Sequence, residues 1–211
     1  MNLKKSNKSN SWLYLNIISL LLYLAITYGV VSNTATLIFI DYKVKDFIDS
    51  IQLPWLTILM LILSVITNPY IFLLLALIIS YKKKGINSTW LIITIIIGLI
   101  LEFAIKLLIA KPRPNALVCI SGYSYSFPSG HALISVIFFL ILYYSFKSIT
   151  KGFVSSLFLK WGSLLAVIVI LFNRIYLNAH WLSDVIGGSL LAILIVSSVY
   201  LSFKHWNFTH I

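Results

Sequence analysis

The chain has few of the residues that make a soluble surface. Only 10% of its 211 residues are charged, five of them acidic, and there are just two arginines, Arg113 and Arg174. So little charge excludes an ordinary soluble domain. A single cysteine, Cys119, excludes an internal disulfide and leaves the redox compartment open. The first apolar run has no small-residue cleavage site and is long enough to remain as a span, so no cleavable signal is expected. Hydrophobic residues make up 60% of the chain, and the mean hydropathy is +1.00. About 20 apolar residues in a helix cross the hydrocarbon core. Several such runs are present, which indicates an all-α, polytopic membrane bundle.

A net charge of +11 raises the possibility of a nucleic-acid partner. The lysines, however, sit in short clusters between apolar runs rather than among aromatics on one face. That pattern fits topology signals and anionic headgroups, so the expected contacts are membrane lipids and no nucleic acid.

Taken in order, residues 1–11 read as a polar cytoplasmic tail, 12–203 as the membrane domain and 204–211 as a second tail. Within the domain six spans are expected, near 12–31, 55–81, 89–109, 131–147, 161–180 and 182–203. Between the first two, 33–54 mixes Asp41, Lys43, Lys45, Asp46 and Asp49 with Phe39, Ile40, Val44, Phe47 and Ile48, as an amphipathic surface segment does. Asn68-Pro69 is expected to kink the second span or to mark a polar point in its interior. Lys4, Lys5, Lys8, Lys82 to Lys84, Lys147, Lys151, Lys160 and Lys204 then fall on one side, which the positive-inside rule makes cytoplasmic, with both termini. All six tryptophans lie at span ends, as an interfacial belt requires.

Lys106, Lys111, Arg113 and Arg174 fall on the other face, against that rule, and so need another reason to be there. Lys106 and Arg113, the latter followed by Pro114, are cations suited to a phosphate, which arginine can grip bidentately. Pro128-Ser129-Gly130-His131 opens an apolar run. Ser129 is placed to cap a helix whose N–H groups and dipole favour an anion, and Gly130 permits close approach of backbone to ligand. His180 and Asp184 are four apart and share one face if helical, where the carboxylate could fix the imidazole tautomer. Each feature has a plainer reading: a snorkelling anchor, a turn-and-cap, a structural pair at a helix end. Their coincidence in order, spacing and side favours a site, and ionisable groups at membrane depth are functional candidates by default.

Together, Lys106-x6-Arg113-Pro114, Pro128-Ser129-Gly130-His131 and Arg174-x5-His180-x3-Asp184 resemble the three signature motifs of the type-2 phosphatidic acid phosphatase family, integral-membrane lipid phosphatases whose active-site pattern is shared with vanadium haloperoxidases. The match runs from Lys106 to Asp184. One departure is Asn173, where the family usually has serine. The resemblance implies a six-helix bundle with its site at the non-cytoplasmic face. It further implies His180 as the nucleophile forming a phosphohistidine, Asp184 orienting it, and His131 as general acid and then base. Lys106, Arg113, Ser129, Gly130 and Arg174 would bind the phosphoryl oxygens. No cofactor or metal is implied, in keeping with a single aspartate beside the histidines on that face and no carboxylate cluster for magnesium.

Glu102, one turn before Lys106, reads as the partner that neutralises or aims it, in preference to a contact with substrate. Tyr123, Tyr125 and Phe127 could line a headgroup entrance or anchor at the interface. Cys119 reads as a bystander, and Gly187-Gly188 with Ser189 as a close-packing surface. The leading expectation is hydrolysis of a lipid phosphate or pyrophosphate in a bacterial plasma membrane, at its outer or periplasmic face. Undecaprenyl pyrophosphate or phosphatidylglycerol phosphate is favoured over phosphatidic acid or a lipid A phosphate. A bundle that only binds or transports phospholipid would need the cations but no nucleophile. Haloperoxidase chemistry is disfavoured by the membrane architecture. Nothing in the pattern selects an oligomeric state.

Labelling of Lys83→Cys and Asn115→Cys by an impermeant thiol reagent in sealed vesicles is expected to place them on opposite faces; labelling from a common side overturns the topology.

Overall fold

The computed structural model describes residues 3–82, 86–114, 125–147 and 153–204. Cys119, Tyr123, Trp206 and the tail beyond Lys204 lie outside the described residues. Among the described residues there are eight helices: α1 (Leu3–Val31), α2 (Ala35–Ile51), α3 (Pro54–Ile66), α4 (Pro69–Lys82), α5 (Ile86–Ile109), α6 (Gly130–Lys147), α7 (Phe153–Tyr176) and α8 (Leu182–Lys204). Helix α1 starts at Leu3, so the polar residues expected to form a separate tail continue the first helix. Helix α7 begins at Phe153, ahead of the boundary expected near Trp161.

Four helices are each long and apolar enough to cross a membrane, over Asn10–Val31, Trp90–Ile109, Leu157–Tyr176 and Leu182–Ser202. Helices α4 and α6 are apolar but shorter, and α2 and α3 meet at 120°. The chain is thus a multi-pass membrane protein. The run expected over 55–81 is divided at Thr67–Asn68 into α3 and α4, and the reason is local. Pro69 has no N–H to donate, and the Asn68 side chain accepts the Tyr70 N–H at 2.9 Å, capping α4. The Thr67 hydroxyl donates to the Leu63 carbonyl at 2.7 Å. Side chains thereby satisfy polar groups that lipid could not.

Helix α8 is central, packed on α1 and α6, while α6 also packs on α5 and α7. The main core joins Phe72, Ile95, Phe127, Leu133, Ile137 and Leu191, and a smaller one joins Ile48 of α2 to Tyr176, Leu177 and Ala179. Leucines and isoleucines left exposed along α1, α3 and α5 face outward, which in a bilayer is their solvent. In α1, Asn16 Nδ2 donates to the hydroxyls of Ser197 and Ser198 on α8 at 2.9 and 2.8 Å, an interhelical polar contact of the kind that helps membrane helices associate.

Gly187 and Gly188 do serve close packing, and their neighbour is the segment leading into α6. A Cβ on Gly188 would lie 2.5 Å from the Ser129 carbonyl oxygen, and one on Gly187 would strike the Phe127 ring. Phe127 is fully buried and stacks on Tyr23 at 6.4 Å, so it is a core residue rather than part of an entrance. Because backbone atoms oppose it, Gly188→Ala is expected to cost about 1–3 kcal/mol and to lower the detergent-solubilised midpoint of unfolding. An unchanged midpoint refutes the packing account.

Candidate active site

Helix α7 ends in a tight turn that aims the third motif. The Arg174 carbonyl accepts the N–H groups of both Ala179 and His180, at 3.2 and 3.3 Å. Asn178 takes a left-handed conformation (φ 51°), which asparagine tolerates. The turn carries His180 back over Arg174. His180 thus lies outside a helix, contrary to the expectation that it shares a helical face with Asp184. Asp184 is in the first turn of α8 and caps that helix, its Oδ2 accepting the Trp181 N–H at 2.8 Å. Since Oδ2 is engaged there, it stands 3.6 Å from His180 Nδ1, an ion-pair separation longer than a hydrogen bond.

Each arginine rests on a histidine. Arg113 Nη1 is 3.2 Å from His180 Nε2 and donates to the Ala179 carbonyl at 2.7 Å. Arg174 Nη1 is 3.1 Å from His131 Nε2. A guanidinium only donates, so both Nε2 atoms are acceptors and carry no proton in this arrangement. For His180 that puts the proton on Nδ1, facing Asp184. Burial pushes the His180 imidazole well below its ordinary range, and the charges of Arg113, Lys106 and Arg174 push it the same way. It is therefore neutral at pH 7, with Nε2 available.

Among the described residues neither arginine pairs with a carboxylate. The Nε–H of each is buried and has no acceptor. Two orphaned charged donors are costly unless a ligand satisfies them. Lys106, by contrast, is paired with Glu102 Oε1 at 2.5 Å, the aiming role expected of that glutamate. The room left by the missing side chain of Gly130 is taken by Glu102, whose Oε1 would be 2.5 Å from a Cβ there. The missing side chain thus makes room for the glutamate that aims Lys106. Ser129 caps α6, its Oγ accepting the Ala132 N–H at 3.5 Å, and its own N–H donates to the Asp184 carbonyl at 3.0 Å. All eight residues singled out in the sequence fall in this one neighbourhood.

Three residues there had been given no role in the site: Lys111, Asp41 and Ser183. Lys111 Nζ lies 3.0 Å from Asp41 Oδ2, 2.6 Å from Ser183 Oγ and 3.0 Å from Asp184 Oδ1. The expectation of a lone aspartate beside the histidines is thus corrected, since α2 brings Asp41 alongside Asp184. An ammonium occupies the space between the two carboxylates. The only signal in the sequence was Lys111 on the face where basic residues are unexpected.

Asn173 is fully buried. Its Nδ2 donates to the Met60 carbonyl on α3 at 2.6 Å, and its Oδ1 accepts from Arg174 Nη2. A narrow cleft of mixed polarity, lined by Asp41, Val44, Lys45, Pro114, Ile175, Asn178, Trp181 and Leu182, reaches His180 from the α2 side.

The model of the PAP2 superfamily matches residues 87–208. The chain belongs to that superfamily. It is 30% identical over 152 residues to the undecaprenyl-diphosphatase of Sulfolobus acidocaldarius, covering 66% of this chain and 67% of that protein. It is 28% identical over 155 residues to phosphatidylglycerophosphatase B of Bacillus subtilis, covering 69% and 74%. The crystal structure of a transmembrane PAP2 type phosphatidylglycerolphosphate phosphatase from Bacillus subtilis superposes with a TM-score of 0.81 over 93% of this chain and all of that one, at 20% identity. That likeness is one of fold.

Proposed function

We propose that the chain is a metal-independent membrane phosphatase that removes the terminal phosphate of a lipid phosphate or pyrophosphate through a phosphohistidine on His180. The observation that carries this is the pair of arginines, Arg174 buried and Arg113 half-buried, each with a buried, orphaned Nε–H and each resting on an unprotonated histidine nitrogen. A phosphate supplies the missing acceptors, and a neutral buried imidazole supplies the nucleophile.

In the first step His180 Nε2 attacks phosphorus and the bond to the leaving oxygen breaks. Arg113 and Arg174 turn from the histidines to the phosphoryl oxygens, with Lys106 and the start of α6 at Ser129 and Gly130 completing the cradle, and hold the charge that develops there. His131 protonates the leaving oxygen. It carries no proton on Nε2 while Arg174 rests there, so that proton arrives with the substrate, once the phosphate has drawn Arg174 away. Asp184 faces Nδ1 and stabilises the positive ring of the phosphoimidazolium. In the second step His131 takes a proton from water, oxygen attacks phosphorus, the N–P bond breaks and inorganic phosphate leaves.

The names of the relatives favour undecaprenyl pyrophosphate or phosphatidylglycerol phosphate as substrate. We read α3 with α4 as one crossing and α6 as another, which makes six, and place the site at the non-cytoplasmic face, where the basic residues depart from the positive-inside pattern.

Hydrolysis is expected to survive excess EDTA, and vanadate is expected to inhibit it by occupying the phosphoryl site. Activity lost on chelation and restored by magnesium refutes the metal-free mechanism.

His180→Ala is expected to abolish turnover together with an acid-labile phosphoenzyme that the wild type forms. His131→Ala should differ in kind, slowing a lipid substrate with its poor alcohol leaving group by roughly 10²–10⁴-fold and p-nitrophenyl phosphate much less. Asp184→Asn should fold and turn over slowly. Near-wild-type turnover by His180→Ala overturns the assignment.

A further inference from the structure

Asp41 and Lys111 take no part in the reaction as derived, yet the structure spends buried charge on them. Asp41 is 5% exposed on α2. Its Oδ1 accepts the Ser183 N–H at 2.9 Å, and its Oδ2 accepts the Ser183 hydroxyl at 2.6 Å. That hydroxyl has spent its one proton, so its lone pair takes a hydrogen from Lys111. Lys111 gives its other two to Asp41 Oδ2 and Asp184 Oδ1. An ammonium has three hydrogens, and all three are committed inside the protein. Lys111 therefore has none left for a phosphate, unlike the two arginines. The Trp181 ring closes over it, 5.7 Å from Nζ, and the Trp181 Nε1–H is tied to the Pro112 carbonyl at 2.8 Å.

The charges decide what the cluster does. Two carboxylates and one ammonium leave a single net negative charge behind His180, spread over Asp41 and Asp184. We propose that Asp41 and Lys111 are positioning residues that fix the orientation and effective charge of Asp184, and through it the basicity of the His180 nucleophile. This rests on the reading of His180 given above. The same contacts tie α2 to the first turn of α8, so α2 helps set the electrostatics of the reacting ring. The other charged or titratable groups facing His180 are Arg113 before the loop, Lys106 on α5, His131 on α6, Arg174 on α7, and Lys45 across the cleft on α2. The substitutions below leave all of them in place.

Lys111→Met leaves two buried carboxylates and no ammonium, a net charge of −2. Asp41→Asn leaves 0, and the double variant returns to −1. With p-nitrophenyl phosphate, Lys111→Met is expected to lower kcat about tenfold or more, with KM within about threefold, because the arginine cradle is untouched; this is the scale at which partners behind a reacting group act. The acidic limb of kcat/KM should move to higher pH in Lys111→Met and to lower pH in Asp41→Asn, each on the order of half to one unit. The substrate's own titration is common to every variant and cancels. Adding Asp41→Asn to Lys111→Met should restore part of kcat and bring the limb back towards the wild type.

A merely structural tie between α2 and α8 predicts no such opposition, and makes the double variant no better than the worse single one. Shifts of the same sign, no shift, or a double variant without recovery overturn the proposal. Should Lys111→Met fail to fold, as judged by gel filtration in detergent, the downward shift in Asp41→Asn decides alone. A wild type without His180-borne phosphate overturns this inference and the mechanism together; with that phosphate present and the limbs unmoved, only this inference falls.

Discussion

The site depends on keeping one carboxylate charged where no water reaches it. Asp184 has no exposed surface, and a buried carboxylate is expensive unless a cation and hydrogen-bond donors surround it. Lys111 meets Oδ1 and the Trp181 N–H meets Oδ2, so every element supplying those partners must be held in place. Helix α2 is drawn in because Asp41 holds Lys111 from the other side. The start of α6 is drawn in because the Asp184 carbonyl accepts the Ser129 N–H, an approach that only glycine at 188 permits.

The same accounting separates the cations by task. Lys106 is matched by Glu102, and Lys111 by Asp41 and Asp184. Arg113 and Arg174 have no carboxylate among the described residues and rest on neutral imidazoles. Neutral rings are weak partners for a guanidinium, so both arginines are held loosely enough to turn to an anion. In the proposed mechanism the histidines are freed by the same event that binds the substrate, which would couple binding to activation of both nitrogens.

Much of this was legible in the sequence, because apolar runs, lysine clusters and short motifs are local signals. The helices near 12–31, 89–109 and 182–203, the break at Asn68-Pro69, the amphipathic stretch before it and the eight motif residues all come from patterns within a few residues. What escaped is long-range. Asp41 lies 70 positions from Lys111 and 142 from Ser183, and no periodicity in α2 marks it as different from Asp46 or Asp49. The separation of His180 from the α8 helix was missed for another reason. A spacing of four reads as one helical turn, but the left-handed Asn178 and the double use of the Arg174 carbonyl break the helix between motif and partner.

Asn173 shows how a departure from a family pattern can be read in physical terms. A serine hydroxyl has one proton and a short reach. The asparagine amide separates donor and acceptor, so one side chain holds Arg174 through its oxygen and the Met60 carbonyl of α3 through its nitrogen. Helix α3 also lies against His131 through the backbone of Ser64. Arg174 and His131, which meet each other at the site, are therefore braced on the same helix one turn apart. A longer residue at 173 thus extends the support of Arg174 to α3, which meets α2 at 120°.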